Sequence, residues 1–226
     1  MYNTKQQKGR VMKARNGKGR YIRIEGPDGA GKSTQIELAR AYAEEQGIPF
    51  LVVREPGGTA LGQELRNILL HNRDFELDAM TENLIFTADR RHLIHSTILP
   101  ALNDGYVVVG DRGYESTLAY QSAAGGVSEE AIYGISNHAL PEWYLTPDGL
   151  VVLNISEKEF ERRSLSKAQT KGHDKIEERK IEYFAKVRSK YDELGALSHA
   201  TAMNGELPAE EIFNTVRPIL FGPDHA

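Results

Sequence analysis

A short glycine-rich stretch near residue 30 constrains the fold of this chain more than any other part of its sequence. It reads Gly-x-x-x-x-Gly-Lys-Ser, with Gly26, Gly31, Lys32 and Ser33 in the fixed places. Such a loop wraps a polyphosphate with consecutive backbone N–H groups, which requires glycine where a Cβ would collide or where φ must be positive. The lysine neutralises the phosphates and the serine offers a hydroxyl to Mg²⁺. The predicted nucleotide-binding residues are Gly26, Pro27, Asp28, Gly29, Ala30, Gly31, Lys32, Ser33 and Thr34.

The flanking sequence supplies the strand and the helix that this loop requires. Ile22 and Ile24 predict a short buried strand before it, while Ile36 and Ala43 belong to a helical repeat that ends at Gly47. A helix that begins at the loop points the positive end of its dipole at a bound anion. A chance glycine-rich turn does not explain a strand, a loop and a helix in register.

Further apolar runs alternate with helical patterns along the chain. The runs follow one another at 50–53, 106–109, 150–155 and 199–203. Strands that alternate with helices predict a mostly parallel sheet with helices on both faces, which is an α/β fold. Since 226 residues suit one core and no repeat is visible, we expect a single domain over residues 20–226.

Composition narrows the class of protein. The chain has no cysteine, so it can form neither a disulfide nor a thiolate metal site. No long apolar run predicts a membrane span or a secretory signal, and we expect a cytoplasmic protein that does not bind membranes. Residues 1–19 carry lysines and arginines but no acidic residue, whereas the whole chain has a net charge of −4. They predict a basic, flexible extension; weak contact with nucleic acid is the alternative interpretation.

Charged residues follow two of the predicted strands. Arg54 and Glu55 lead into a Pro-Gly-Gly turn after the second strand, and Asp111 follows the strand at 106–109. Open α/β sheets bind ligands at the carboxyl ends of their strands. A carboxylate there, on the same sheet as a phosphate loop, is expected on the Mg²⁺ side of the nucleotide. Ser33 and Asp111 are therefore the predicted metal ligands.

A long helix is predicted from residue 80 to about residue 102. Phe86 and Arg90 are four residues apart on it and share one face. A ring beside a guanidinium suits stacking on, and hydrogen bonding to, a planar base. For this helix taken alone, a core phenylalanine with a solvated arginine is the alternative.

Another helix carries hydroxyl and amide groups after Asp111. Ser116 and Tyr120 share one face of it, and Thr117 and Gln121 follow them directly. A helix N-cap would account for one hydroxyl, but it does not account for the Tyr-Gln pair one turn later.

A polar, cationic stretch runs from residue 162 to residue 175. It follows the fourth strand and precedes a predicted helix from 176 to 194. A charge run is usually a solvated face, but this placement favours a mobile lid over the nucleotide.

Taken together, these motifs resemble those of the thymidylate kinase family in order and spacing. The match runs from about residue 20 to residue 220 and includes 54–59, 86–91, 110–112, 116–121 and 146–148. The stretches Arg-Glu-Pro-Gly-Gly-Thr and Ser-Thr-Leu-Ala-Tyr-Gln make it specific, because phosphate-loop proteins in general lack them. The resemblance implies a five-stranded P-loop kinase fold with a short lid, usually homodimeric. It also implies transfer of the γ-phosphate of ATP to dTMP with Mg²⁺, giving dTDP for dTTP biosynthesis.

The resemblance also implies roles for individual residues. Phe86 would stack on thymine, Arg90 would donate to the base, and Tyr120 would crowd the 2′ position of the sugar. Arg66 and Arg112 would hold the monophosphate. The implied substrate-binding residues are Glu55, Arg66, Phe86, Arg90, Arg112, Ser116, Thr117, Tyr120 and Gln121. The implied catalytic residues are Lys32, Asp28, Arg112 and Arg163.

The chain departs from the family pattern in three places. Gly113 stands where an aromatic residue or histidine is common, and 122–127 contain no cation where an arginine is frequent. The lid ends at 174–177 without the usual arginine, and the phosphate loop has none either. The arginine that assists transfer is therefore expected to be Arg162 or Arg163, and we favour Arg163.

Two other functions fit part of this pattern. One is a deoxynucleoside monophosphate kinase of the same fold with broader specificity. The other, from a different class, is a nucleotide-binding switch or a nucleic-acid-associated ATPase that uses the basic extension. The chain has no Asn-Lys-x-Asp stretch for reading guanine, and the extension lies outside the motif set, so we expect no nucleic-acid partner.

Overall fold

Five parallel strands form a single sheet with the order β2-β3-β1-β4-β5. The computed structural model describes residues 18–70, 75–160, 162–163 and 181–223. The strands are β1 (Arg20–Glu25), β2 (Phe50–Arg54), β3 (Val107–Asp111), β4 (Gly149–Asn154) and β5 (Ala200–Asn204). The predicted five-stranded parallel sheet is confirmed.

Helices lie between these strands, and the last helix follows β5. They are α1 (Lys32–Gln46), α2 (Ala60–Leu70), α3 (Ala79–Leu93), α4 (Leu99–Asn103), α5 (Tyr114–Thr117), α6 (Glu129–Ala139), α7 (Glu142–Leu145), α8 (Ile181–Gly195) and α9 (Ala209–Phe221). A π-helical segment, Ile94–Ile98, joins α3 to α4, so the long helix predicted from residue 80 is continuous but not regular. A second one, Leu118–Ala124, continues α5.

Alternate residues of β1 face opposite sides of the sheet. Ile22 and Ile24 pack in a core with residues of α1 and α9. Tyr21 points to the other side, into a core that includes residues of α3 and α7. Helices therefore cover both faces, as predicted. Arg23 lies on the same side as Tyr21, at a position where the alternation calls for an apolar side chain, and it is fully buried.

The sheet brings the predicted site segments to one edge. Ile24, near the end of β1, lies opposite Asp111 of β3, and Asp111 lies opposite Arg54 of β2. The phosphate loop, the Pro-Gly-Gly turn and the Asp111-Arg112 pair thus leave the sheet side by side. This edge is formed by the carboxyl ends of the strands, where open α/β sheets bind ligands.

Two sequence predictions fall mainly outside the described residues. The basic extension at 1–19 is described only from residue 18, and the lid at 162–175 only at residues 162 and 163. Both remain predictions, as does the single domain over 20–226. None of the helices in the described ranges has the length and apolar character needed to cross a bilayer.

Candidate active site

The phosphate loop joins β1 to α1 and has the backbone shape that such loops need. Gly26, Gly29 and Gly31 have φ values of 140°, 80° and 99°, which glycine adopts more readily than other residues. A Cβ on Gly26 would lie 2.1 Å from the carbonyl oxygen of Leu153 on the neighbouring strand. The loop therefore has no room for a side chain there, and it leads directly into the N-terminus of α1, where free N–H groups favour an anion.

Lys32 is held beneath this loop. Its Nζ donates to the carbonyl oxygens of Gly26 and Pro27, each at 2.8 Å, and the side chain is buried. Burial and the neighbouring Arg112 lower the pKa of Lys32 to about 7. A desolvated cation beside another cation gains strongly from an anionic partner. Ser33 and Thr34 follow in the first turn of α1 with exposed side chains.

Arg112 connects the phosphate loop to the far side of the site. Its backbone is left-handed, with φ of 71°. Its guanidinium pairs with Asp28 at 2.5 Å and donates to the carbonyl oxygen of Gly26 at 3.1 Å and the hydroxyl of Ser116 at 3.2 Å. It also lies 5.4 Å from the centre of the Tyr120 ring. The predicted residues Asp28, Arg112, Ser116 and Tyr120 therefore form one cluster.

A buried carboxylate that was not predicted from the sequence supports this cluster. Glu25, the last residue of β1, is fully buried and accepts hydrogen bonds from the hydroxyls of Ser116 (2.8 Å) and Tyr191 (3.0 Å). Tyr191, on α8, also accepts from Arg112 at 3.3 Å. An acidic residue at the end of an otherwise apolar strand was the available signal for Glu25. Nothing local indicated Tyr191.

Asp111 ends β3 beside the phosphate loop. Its Oδ1 is buried and has no hydrogen-bond partner among the described residues. Ser33, the other predicted metal ligand, exposes its side chain at the start of α1. A buried carboxylate oxygen without a donor has capacity for a cation.

Arg90 and Glu55 form a buried ion pair on the other side of the site. Arg90 Nε lies 2.6 Å from Glu55 Oε2, and the side chains are 1% and 3% exposed. Arg90 Nη2 donates to the carbonyl oxygen of Gly113 at 2.8 Å and to Thr117 Oγ1 at 3.2 Å. Phe86 lies one turn earlier on α3 and is half-buried. The alternative of a solvated arginine is wrong, because Arg90 is buried and contacts two other predicted residues, Glu55 and Thr117.

The remaining predicted side chains have other partners. Arg66, on α2, donates to the carbonyl oxygen of Pro56 at 3.0 Å. Gln121 is buried in the π-helical segment and donates to Glu82 at 3.1 Å. The ring of Tyr120 lies 6.3 Å from that of Tyr183 on α8, measured between ring centres.

Arg23 fills the space beside Gly113, one of the positions at which the chain departs from the family pattern. A Cβ on Gly113 would lie 2.6 Å from Arg23 Cδ and 2.9 Å from the hydroxyl of Tyr144. Arg23 in turn pairs with Glu115 at 2.6 Å, and both side chains are buried. This pair was not predicted from the sequence. The signal was a cation at an apolar position of a strand, three residues before the first glycine of the phosphate loop.

Arg163 reaches the phosphate loop, whereas Arg162 does not. Arg163 donates to the carbonyl oxygens of Gly29 at 2.6 Å and Gly205 at 3.1 Å. The side chain of Arg162 is 69% exposed and pairs with Glu159. The rest of the predicted lid lies outside the described residues.

Comparison with known proteins places this arrangement in one family. The sequence model of the thymidylate kinase family matches residues 24–216. The thymidylate kinase of Neisseria meningitidis serogroup C is 35% identical over 210 residues, which cover 91% of this chain and 98% of that protein. The thymidylate kinase of Caldicellulosiruptor saccharolyticus is 34% identical over 204 residues, covering 90% and 96%.

A solved structure agrees at the level of the fold. The crystal structure of thymidylate kinase from Ehrlichia chaffeensis superposes with a TM-score of 0.67 at 24% identity, covering 88% of this chain and 98% of that one. The family model and the relatives extend over the phosphate loop, the Arg90–Glu55 pair and the Arg112 cluster alike. The chain therefore belongs to the thymidylate kinase family, phosphotransferases that phosphorylate dTMP with ATP.

Proposed function

We propose that this chain transfers the γ-phosphate of ATP to dTMP at the sheet edge described above, producing dTDP and ADP for dTTP biosynthesis. The assignment of the site rests on one observation: Arg112 donates hydrogen bonds both to Asp28 of the phosphate loop and to Ser116 on the acceptor side. A cation in that place lies between a donor and an acceptor that are both anionic. Its charge can offset their repulsion.

The base would bind between α3 and α5. Phe86 offers a ring for stacking on thymine, and Arg90 offers a donor for O4 of the base. Cytosine carries an amino donor in place of O4, so dCMP would set two donors against each other in a desolvated site. Tyr120 would lie against C2′ of the sugar and disfavour a ribose hydroxyl. Further acceptor contacts are proposed for Glu55, Arg66, Arg112, Ser116, Thr117 and Gln121.

Transfer needs alignment and charge stabilisation more than covalent help. An oxygen of the acceptor phosphate attacks the γ-phosphorus, the bond to the β–γ bridging oxygen breaks, and ADP leaves with that oxygen. Lys32 and the loop N–H groups would stabilise the donor phosphates, and Arg163 would add charge from the lid side. Asp28 would orient Arg112. No general base is required, because the acceptor is already anionic.

The residues of the site also fit a magnesium ion that is bound mainly through phosphates. Within the described ranges no cluster of three or more histidines or acidic residues could hold a metal alone. Magnesium commonly takes one or two carboxylates together with substrate phosphates. Asp111, with its unpartnered Oδ1, and Ser33 would hold the ion. When bound, it would offset charge on the transferred phosphoryl group.

We also propose that the chain is a homodimer that acts in the cytoplasm. Helices α2 and α3 pack together and expose apolar side chains. These are Leu61, Ile68 and Leu84, which are 47%, 42% and 49% exposed. A second copy of the chain would cover them.

A coupled ADP-release assay with dTMP, dUMP, UMP, dCMP, dGMP and AMP tests the function. We expect dTMP to have the highest kcat/KM and dUMP, which lacks one methyl group, to follow within about 1–3 kcal/mol. Comparable values for several deoxynucleotides would indicate the broader kinase. ADP release that depends on added DNA rather than on a monophosphate would indicate the ATPase.

A further inference from the structure

Arg23 is a buried cation for which stability alone is a poor explanation. Its Nη2 lies 2.6 Å from Glu115 Oε1, its Nη1 donates to the carbonyl oxygen of Tyr144 at 2.6 Å, and its guanidinium lies 4.9 Å from the centre of the Tyr144 ring. Buried ion pairs of this kind are often no more stabilising than well-packed apolar side chains, because both charges lose their hydration. We call Arg23, Glu115 and Tyr144 the Arg23 network.

One route leads from this network to Arg90 through Glu55. The hydroxyl of Tyr144 donates to Glu55 Oε1 at 2.5 Å. The other carboxylate oxygen of Glu55, Oε2, accepts from Arg90 Nε at 2.6 Å. Since both oxygens of Glu55 are engaged, the carboxylate cannot rotate without losing one of these bonds.

A second route leads to Arg90 through the start of α5. Arg90 Nη2 donates to the carbonyl oxygen of Gly113 and to Thr117 Oγ1. Glu115 lies between these two residues and is fixed by Arg23, and Arg23 Cδ packs on Gly113 so closely that no Cβ fits there. The Arg23 network is therefore adjacent to both groups that accept hydrogen bonds from Arg90 Nη2.

The remaining nitrogen of Arg90 is the one that can face a ligand. Nη1 is buried and has no hydrogen-bond partner in the described part of the chain. We propose that Arg23 is a positioning residue for base recognition: through Tyr144, Glu55 and Glu115 it fixes two nitrogens of Arg90, so that Nη1 stays available for the base. This inference rests on the proposed function, in which Arg90 donates to thymine.

The test uses two variants of the full chain. Arg23→Met/Glu115→Leu removes both charges together and leaves neither buried without a partner, so it should fold. Tyr144→Phe removes only the hydroxyl that holds Glu55 and keeps the ring beneath Arg23. As a control, Val216→Ala lowers stability in the core on the other face of the sheet, where Val216 is fully buried.

The readout is the ratio of kcat/KM for dTMP to kcat/KM for dCMP, together with the urea midpoint of each protein. We expect the ratio to fall about tenfold or more in both variants, as donors of Arg90 become free to turn away from the base. The loss should be mainly in KM for dTMP. Val216→Ala should lower the urea midpoint and keep the wild-type ratio.

The following outcomes would overturn the proposed role of Arg23 or the function on which it rests. A wild-type ratio in a folded Arg23→Met/Glu115→Leu protein would overturn the proposal, since the network would then serve stability alone. If that protein does not fold, Tyr144→Phe decides in the same way. An equal fall in Val216→Ala would also overturn it, because general loosening would explain the effect. If wild type does not phosphorylate dTMP, the proposed function itself fails.

Discussion

Lys32 donates both of its observed hydrogen bonds to carbonyl oxygens of its own loop. In the proposed reaction these oxygens give way to phosphate oxygens, for which a desolvated ammonium is a far better partner. Lys32 therefore contributes to the reaction more than to the fold, because its ammonium group interacts more favourably with a bound phosphate than with the carbonyl oxygens of the ligand-free loop.

Lys32→Ala should therefore abolish transfer and leave the fold intact. We expect kcat with dTMP and ATP to fall by more than about 100-fold, since developing phosphate charge would stay uncompensated. Steady-state kinetics beside circular dichroism would measure both properties. Near-normal turnover would refute the assignment of the phosphate loop.

Asp89 gives a pH-dependent prediction. It is fully buried, close to Glu55, Arg90 and His92, and burial raises the pKa of its carboxyl group to about 6. The folded protein therefore keeps this proton to a higher pH than the unfolded chain does. The contribution of Asp89 to stability is highest at acidic pH and is lost as the pH rises through about 6.

Asp89→Asn has no proton to lose, so its stability relative to wild type should increase with pH. Between about pH 5 and pH 8 we expect a relative gain in the free energy of unfolding of at most about 3 kcal/mol. Urea unfolding of both proteins at the two pH values gives the difference. Parallel changes in the two proteins would show that Asp89 does not titrate in this range.

At the scale of elements, the link between β3 and α5 is packed too tightly for a side chain at Gly113. Gly113→Ala should force Arg23 or Tyr144 to move, with a loss of about 1–3 kcal/mol in the free energy of unfolding. Gly134 is the matched control, because it lies within α6 and a Cβ there would meet nothing within 4 Å.

Gly134→Ala should stabilise the protein by up to about 1 kcal/mol, as alanine favours a helix interior. Urea unfolding of the two alanine variants measures the contrast. Equal effects of the two substitutions would mean that Arg23 does not fill the space beside Gly113.

The segment at 162–163 offers a second matched pair. Arg163 contacts the phosphate loop at Gly29, whereas its neighbour Arg162 is exposed. Arg163→Met should lower kcat by about 100-fold or more with little change in KM, as for other cations that act in the transition state. Arg162→Met should retain most activity. Equal losses would point to a diffuse positive field instead.

The strands and helices could be predicted because each is a local sequence pattern. The buried side chains that hold the site residues in place could not. Short apolar runs predicted the strands, and the glycines with the Lys-Ser pair predicted the phosphate loop. Glu25 finds Tyr191, and Arg23 finds Glu115, only after the chain has folded. Such partners are far apart in sequence, so even a charged residue within an apolar strand does not indicate which side chain it will pair with. Helical spacing suggested Phe86 and Arg90 as a pair that could bind a base but left a solvated arginine as the alternative, and the resemblance to a family then supplied their roles.

At the scale of the whole molecule, the exposed apolar side chains on α2 and α3 predict self-association. Leu84→Glu should convert a dimer into a monomer of 25.2 kDa, because a charge would be buried in the contact. Light scattering after gel filtration measures the mass. Leu207→Glu, at an exposed position before α9, should leave the dimer intact. A wild-type protein that is monomeric throughout would refute the prediction.

The strand order has a consequence for synthesis of the chain. β1 is made first, yet it lies at the centre of the sheet, between β3 and β4. Neither edge of β1 can therefore pair until β3 and β4 have left the ribosome, and β4 ends only at Asn154. Parallel pairing over such sequence distances forms slowly and leaves apolar edges exposed meanwhile. The residues that shape the phosphate loop are thus synthesised before the strands that flank them, and they are among the last to acquire their final neighbours.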